Sequence, residues 1–214
     1  MPPLIKHTDH MDIHIDEHSA LILIRLIWRY IWDDNGFSPW SYVEKKEFHH
    51  KADDIIWQKL GNILHLKVRG TSDFAKKHRY TLWSVHFDIQ WVLCDEHWTV
   101  TVKKIDKGDF LRSAVLWNKR EIKLDSNDLN FVCKRSSGKQ KIYQRGLLHE
   151  FGHVIGNTVK IKGMHGDEYN KTSPYFNDIR SIMHSAEEIR GRHIDYILKI
   201  LNSWIPKTFF EVSD

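Results

Sequence analysis

His149, Glu150 and His153 stand in the order H-E-x-x-H within Leu147-Leu148-His149-Glu150-Phe151-Gly152-His153-Val154-Ile155. Residues four apart on an α-helix lie one turn above each other, so a helix here would bring both imidazoles to one metal ion. Glu150, about 100° round the wheel from His149, would stand beside that ion without ligating it, free to take a proton from a water as general base. With His149 at zero, His153 falls near roughly 40°, and Leu147, Leu148, Phe151, Val154 and Ile155 fall between roughly 140° and 260°. One face is apolar and the other carries the histidines; histidines that merely filled a core would share the apolar face. The competing reading is a solvated histidine pair.

The run His149-Glu150-Phe151-Gly152-His153-Val154-Ile155-Gly156 resembles the opening of the metzincin signature, H-E-x-x-H-x-x-G-x-x-(H or D). Ser181-Ile182-Met183-His184 resembles the same family's Met-turn, which sets a methionine, here Met183, beneath the metal. The resemblance implies a Zn2+-dependent endopeptidase in which Glu150 is the catalytic base. It also implies a zincin fold with an extended substrate laid along a sheet edge, for which the strand within residues 113–125 is the natural candidate. The order H-E-F-G-H, D-E-Y, S-I-M, R-x-R-H-I further resembles bacterial peptidase toxins delivered as effectors by contractile secretion systems. That likeness implies a protein or peptide substrate, with an immunity protein or a secretion-system spike as a further partner.

One departure from the pattern matters. The family's third ligand falls three residues after the glycine, at Val159, which cannot bind zinc. Residues 157–164 read as an insertion, after which His165-Gly166-Asp167-Glu168-Tyr169 offers three ligands. Asp167 is the first choice by resemblance, His165 follows because imidazole is the commoner zinc ligand, and Glu168 is third. A gluzincin-type alternative would draw its third ligand from Glu187 or Glu188. A non-catalytic zinc-binding module would close the site with four ligands from His149, His153, His165 and Asp167. Tyr169 and His193 are candidates to stabilise a transition state; the plainer readings are a packed ring and a helix-start surface residue. His184 is followed by Ser185 where astacin-like members carry a tyrosine, so that auxiliary ligand is absent.

These residues need elements to hold them. Residues 17–32 read as a buried helix, apolar nearly all round, stopped by Asp33-Asp34-Asn35-Gly36. Residues 50–60 look helical, and Leu64, Leu66 and Val68 alternate as in a strand. Trp83, Val85, Phe87, Ile89, Trp91 and Leu93 alternate with polar residues, and Trp98, Val100 and Val102 do the same after Cys94-Asp95-Glu96, which reads as a hairpin. A strand pair is expected at 114–117 and 121–124, and a last helix at about 186–201. The fold class expected is α+β, a zincin- or metzincin-like twisted sheet with mainly antiparallel edges packed on the active-site helix, with a helical C-terminal half. Residues 1–16 read as a flexible arm before one catalytic domain over 17–214, its upper part about 17–156 and its lower part about 157–214.

Composition limits the partners. The 214 residues are 41% hydrophobic and 12% aromatic, which argues against disorder. A net charge of +4, from interspersed acids and bases, does not indicate nucleic acid. The most apolar stretch, residues 20–28, contains Arg25 and is far short of the roughly 20 residues of a membrane span. Aspartates and Glu17 precede it instead of a basic leader, so no signal peptide is expected; the resemblance to delivered effectors implies synthesis in the cytoplasm followed by specialised export. Two cysteines, Cys94 and Cys133, allow at most one bridge. The 15 histidines, apart from those named, lack ligand spacing.

Overall fold

Residues 4–7 and 12–16 are paired strands, not a loose arm. In the computed structural model, which describes residues 3–137 and 140–213, β1 (Leu4–His7) pairs with β2 (Asp12–Asp16), and β2 pairs antiparallel with β3 (Leu21–Asp33). Met11, Ile13 and Ile15 are fully buried. Scattered histidines and aspartates disguised a strand whose alternate residues are apolar.

β3 replaces the helix expected at 17–32. Its burial alternates strictly, with Ile22, Ile24, Leu26, Trp28 and Tyr30 inside. A near-continuous apolar run rich in isoleucine is what a central strand with parallel neighbours looks like, and on a helical wheel it passes for a buried helix. Arg25 and Arg29 sit on the other face, where they pair with Asp88 at 2.9 Å and Glu96 at 2.6 Å.

After α1 (Tyr42–Leu60) come β4 (His65–Gly70), the short α2 (Asp73–Lys77), β5 (Trp83–Val92) and β6 (Trp98–Lys103). Ser41 starts α1 with a reciprocal capping box to Glu44. β5 and β6 alternate as expected but do not form a hairpin, because β3 lies between them and runs parallel to both. Two amphipathic strands joined by a short turn carry no information about a third that separates them.

Then follow β7 (Ala114–Leu116), β8 (Glu121–Asp125), β9 (Val132–Ser137), β10 (Gln140–Gln144), α3 (Gly146–Val154), α4 (Asp195–Trp204) and β11 (Thr208–Val212). The main sheet is mixed, in the order β11-β4-β5-β3-β6-β8-β7, with β2 on the first half of β3 and β6 on the second. Its centre is parallel and both ends are antiparallel. β9 and β10 form a separate hairpin.

α3 lies against β7 and β8, and Phe151 meets Phe87 of β5 edge-to-face, with ring centroids 5.7 Å apart. The five apolar residues of the wheel are all buried. Each such side chain stabilises by about 1.5–3 kcal/mol. The C-terminal half is not helical as expected: residues 155–190 contain no regular helix, and α4 begins at Asp195, after a 3-10 turn at Gly191–Ile194. Turn-forming Gly, Asn, Ser and Pro residues fill that stretch. No helix among the described residues is long and apolar enough to cross a membrane. Cys94 and Cys133 are both free and exposed.

Candidate metal centre

α3 presents His149 and His153 away from the core, their rings 5.1 Å apart and nearly perpendicular. Two residues past the end of α3 stands Gly156, whose φ of +114° is open to glycine and strained for other residues; a β-carbon there would strike the Tyr196 side chain. The chain then turns back and brings Asp167 over the two histidines. Asp167 Oδ1 lies 3.1 Å from His149 Nε2 and 3.1 Å from His153 Nε2.

The far nitrogen of each ring settles which atoms face Asp167. His149 Nδ1 lies 3.0 Å from the Ile182 carbonyl and His153 Nδ1 lies 2.7 Å from the Asn157 carbonyl. A carbonyl only accepts, so both Nδ1 atoms carry hydrogen, and in the neutral rings both Nε2 atoms are lone-pair acceptors. While both rings are neutral, two imidazole lone pairs and a carboxylate oxygen therefore converge with no donor among them; a bound cation or a second proton on a ring relieves that arrangement. The two N–H···O=C bonds are the outer support usual for metal-bound histidines.

The electrostatics agree. Burial alone would lower the proton affinity of His153, but its bond to Asp167 and the charge of Glu150 outweigh burial and raise it. Burial would raise the Asp167 carboxyl; the bonds from His149, His153 and Tyr169 hold it well below the usual carboxylate range. The pocket draws positive charge.

Glu150 lies between the histidines in sequence, lines the same cleft and is only 7% exposed. Burial raises its carboxyl, partly offset by His149 and His153. Among the described residues no side chain or backbone group hydrogen-bonds it. Met183, fully buried, packs under α3 so closely that a β-carbon on Gly152 would collide with its Sδ. The turn carrying it is tied to the site: Ile182 O accepts from His149, and Met183 O accepts from the Glu168 N–H at 2.9 Å.

A second group, His165, Glu168 and His193, also has ligand atoms within 4.8 Å of one another. Its cation is already present. Arg192 donates a fork to both oxygens of the fully buried Glu168, at 2.7 and 2.9 Å. His193 Nδ1 accepts from the Arg190 N–H at 2.9 Å, so its Nε2 carries the hydrogen and faces Glu168 Oε1 at 3.2 Å. Burial would raise Glu168, and these donors hold it well below its ordinary range. Asp178 is pulled down to about 2, first by Arg190. The network fixes the 165–193 loops.

The structure thus brings His149, His153 and Asp167 together and puts the alternates His165 and Glu168 elsewhere. Val159 is exposed on the cleft wall. Glu187 binds the Arg145 backbone at 3.0 Å and its guanidinium at 2.8 Å, while Glu188 pairs with Arg180 and Arg190; neither reaches the histidines. His193 is 1% exposed, not the surface or cleft residue expected, because Glu168 and Ser181 hold it inside. Tyr169 donates to Asp167 Oδ2 at 2.7 Å, its ring stacked near His149. Its hydroxyl is pushed up to about 12, first by burial and then by Asp167, so it stays a donor.

Three supporting residues were missed. Asn157 donates to Gly152 O and His193 O, at 2.8 and 2.9 Å, and its own carbonyl orients His153. Gln144 donates to Ile182 O at 2.8 Å and Ala186 O at 2.6 Å. Asp128, beside the start of α3, accepts from Ser113 and the Asp125 N–H and is pushed up to about 7, mainly by burial. Only Asn157 had a signal, an amide directly after the helix-ending glycine.

The centre opens on a cleft of about 1050 Å3, bounded by Ala114 and Val115 of β7, by β9 and by the 165–185 loops. Among the described residues β7 is the last strand of the sheet and pairs only with β8. Comparison with protein-family models, with curated proteins and with solved structures returned no match.

Proposed function

We propose that the chain is a zinc-dependent endopeptidase, with His149, His153 and Asp167 as metal ligands and Glu150 as general base. The observation that carries this reading is the convergence of two imidazole Nε2 atoms, their rings held by backbone carbonyls, with one carboxylate oxygen at 3.1 Å from each. Two imidazoles and one carboxylate are a donor set suited to zinc. When bound, zinc supplies Lewis acidity, polarising a carbonyl and lowering the pKa of a water.

The chain's own residues do the rest. Glu150, buried and unpartnered, has the raised basicity a general base needs; it takes a proton from the attacking water and returns it to the leaving amine. Tyr169 holds Asp167 through Oδ2 and leaves Oδ1 toward the histidines. The free edge of β7 offers an extended peptide a strand to pair with. Three converging side chains rather than four favour an open coordination position over a closed structural site. The motif order and the helix-over-methionine packing support a metzincin-like relationship, and the same motif order supports an effector role with an immunity protein as counterpart.

The test is the Glu150→Gln protein beside wild type, with metal content measured by mass spectrometry and hydrolysis of a casein-derived peptide mixture followed. One zinc per chain in both and turnover only in wild type are expected. Retained turnover in Glu150→Gln, or full zinc content after both histidines are changed to alanine, overturns the reading.

A further inference from the structure

The basic residues below the metal centre are paired. Arg145 binds Glu187, Arg180 binds Glu188, Arg190 binds Asp178 and Glu188, and Arg192 binds Glu168 and Asp178. Three basic residues on the cleft wall differ. Arg112, just before β7, and Lys134 and Arg135, on β9, line the cleft, and none makes an ion pair or side-chain hydrogen bond among the described residues. Lys134 has only the Phe110 ring, 5.7 Å from its ammonium.

Arg112, Lys134 and Arg135 line the same cleft as Glu150, Asp167, Tyr169 and His184. His184 is 6% exposed on the cleft floor, and its buried Nε2 has no partner among the described residues.

The acids on the same walls do not neutralise these cations. Asp167 faces the two histidines, Asp128 is buried and accepts from Ser113 and the Asp125 N–H, Glu150 is buried, and none of the three pairs with Arg112, Lys134 or Arg135 among the described residues. An unpaired cation on a concave wall attracts anions more strongly than one on a flat surface, since low-dielectric walls focus its field. Arg also presents a fork matched to carboxylate.

We infer that the cleft selects acidic peptides, with Arg112, Lys134 and Arg135 receiving Asp or Glu side chains that flank the scissile bond. This rests on the peptidase reading for the word scissile, but not for the binding preference. Nucleic acid would also answer to cations; the cleft sits beside an edge strand and offers Phe110 as its one ring next to a free cation, which suits a peptide better than stacked bases.

Binding is therefore measured apart from cleavage, with the full-length, zinc-loaded Glu150→Gln chain. The probes are a fluorescein-labelled decapeptide with Asp and Glu flanking an Ala-Leu centre, its Asn/Gln counterpart, its Lys counterpart, and a single-stranded DNA oligonucleotide. Roughly tenfold tighter binding of the acidic peptide than of its amide counterpart is expected at about 50 mM salt, shrinking at about 500 mM. Arg112→Gln, Lys134→Gln and Arg135→Gln, singly and combined, should bring that ratio toward one; the single variants serve if the triple variant does not fold. Equal binding of acidic and amide peptides overturns the inference, as does DNA binding tighter than the acidic peptide. Wild-type, zinc-loaded protein that binds the acidic peptide selectively yet cleaves neither these three peptides nor the casein-derived mixture refutes the peptidase reading and leaves the inference standing. Cleavage of all three at equal rates does the reverse.

Discussion

Asp128→Asn should stabilise the protein in a manner set by pH. The carboxyl is 5% exposed and is raised from 3.8 to about 7, by burial first and then by the charge of Asp125. An acid raised in the folded state favours folding when protonated: that contribution is complete below the unfolded value of 3.8 and is lost as pH rises through about 7. The difference of about 3.2 pH units at 1.36 kcal/mol each sets a ceiling of roughly 4 kcal/mol lost between pH 4 and pH 8. Asparagine keeps an oxygen to accept from Ser113 and Asp125 and carries no charge to bury. Urea unfolding of both proteins, metal-free in chelator so that zinc linkage does not enter, should give equal stabilities near pH 4. At pH 8 the variant should be ahead by about 2–4 kcal/mol, or by very roughly 5–15 °C in Tm for a chain of this size. A gap that does not change with pH, or a variant weaker at pH 8, would refute the reasoning.

Asn157→Ala removes two buried donors and loosens the loop whose carbonyl orients His153. It should weaken zinc binding about 10–100-fold in chelator competition, and cost about 2–3 kcal/mol in the metal-free protein by urea unfolding. Gly152→Ala forces a β-carbon onto Met183 Sδ and should cost about 1–3 kcal/mol; pairing it with Met183→Ala should recover part of that loss, read as a non-additive cycle in thermal unfolding.

The centre was largely legible in the sequence because its two histidines lie on one helix, where spacing and wheel position determine what side chains share. From the residues themselves Asp167 was one of three acids and imidazoles in a row, put first only by the family resemblance. What separated it from His165 and Glu168 was a guanidinium from Arg192, 24 residues further on, which no local pattern shows. Gln144 was silent for the same reason, its partner carbonyl lying 38 residues away. Among the sheet strands, β5 showed itself by strict alternation, whereas β3, apolar at nearly every position, concealed its period. The pairing of β3 with both β5 and β6 depends on contacts between distant segments, so their order in the sheet could not be read from either strand alone.

That same β3 has a consequence for how the chain comes into being. When residues 21–33 leave the ribosome, β1 and β2 are the described strands of this sheet that precede them, while β5 lies some sixty residues ahead and β6 further still. Until those arrive, one edge of a thirteen-residue apolar strand stands open to any neighbouring chain. Arg25 and Arg29, placed at every fourth position within it, act during that interval as charged interruptions that disfavour self-association. Only later do they meet Asp88 and Glu96, so the two ion pairs of the finished sheet are also the point at which the nascent strand becomes safe from its own kind.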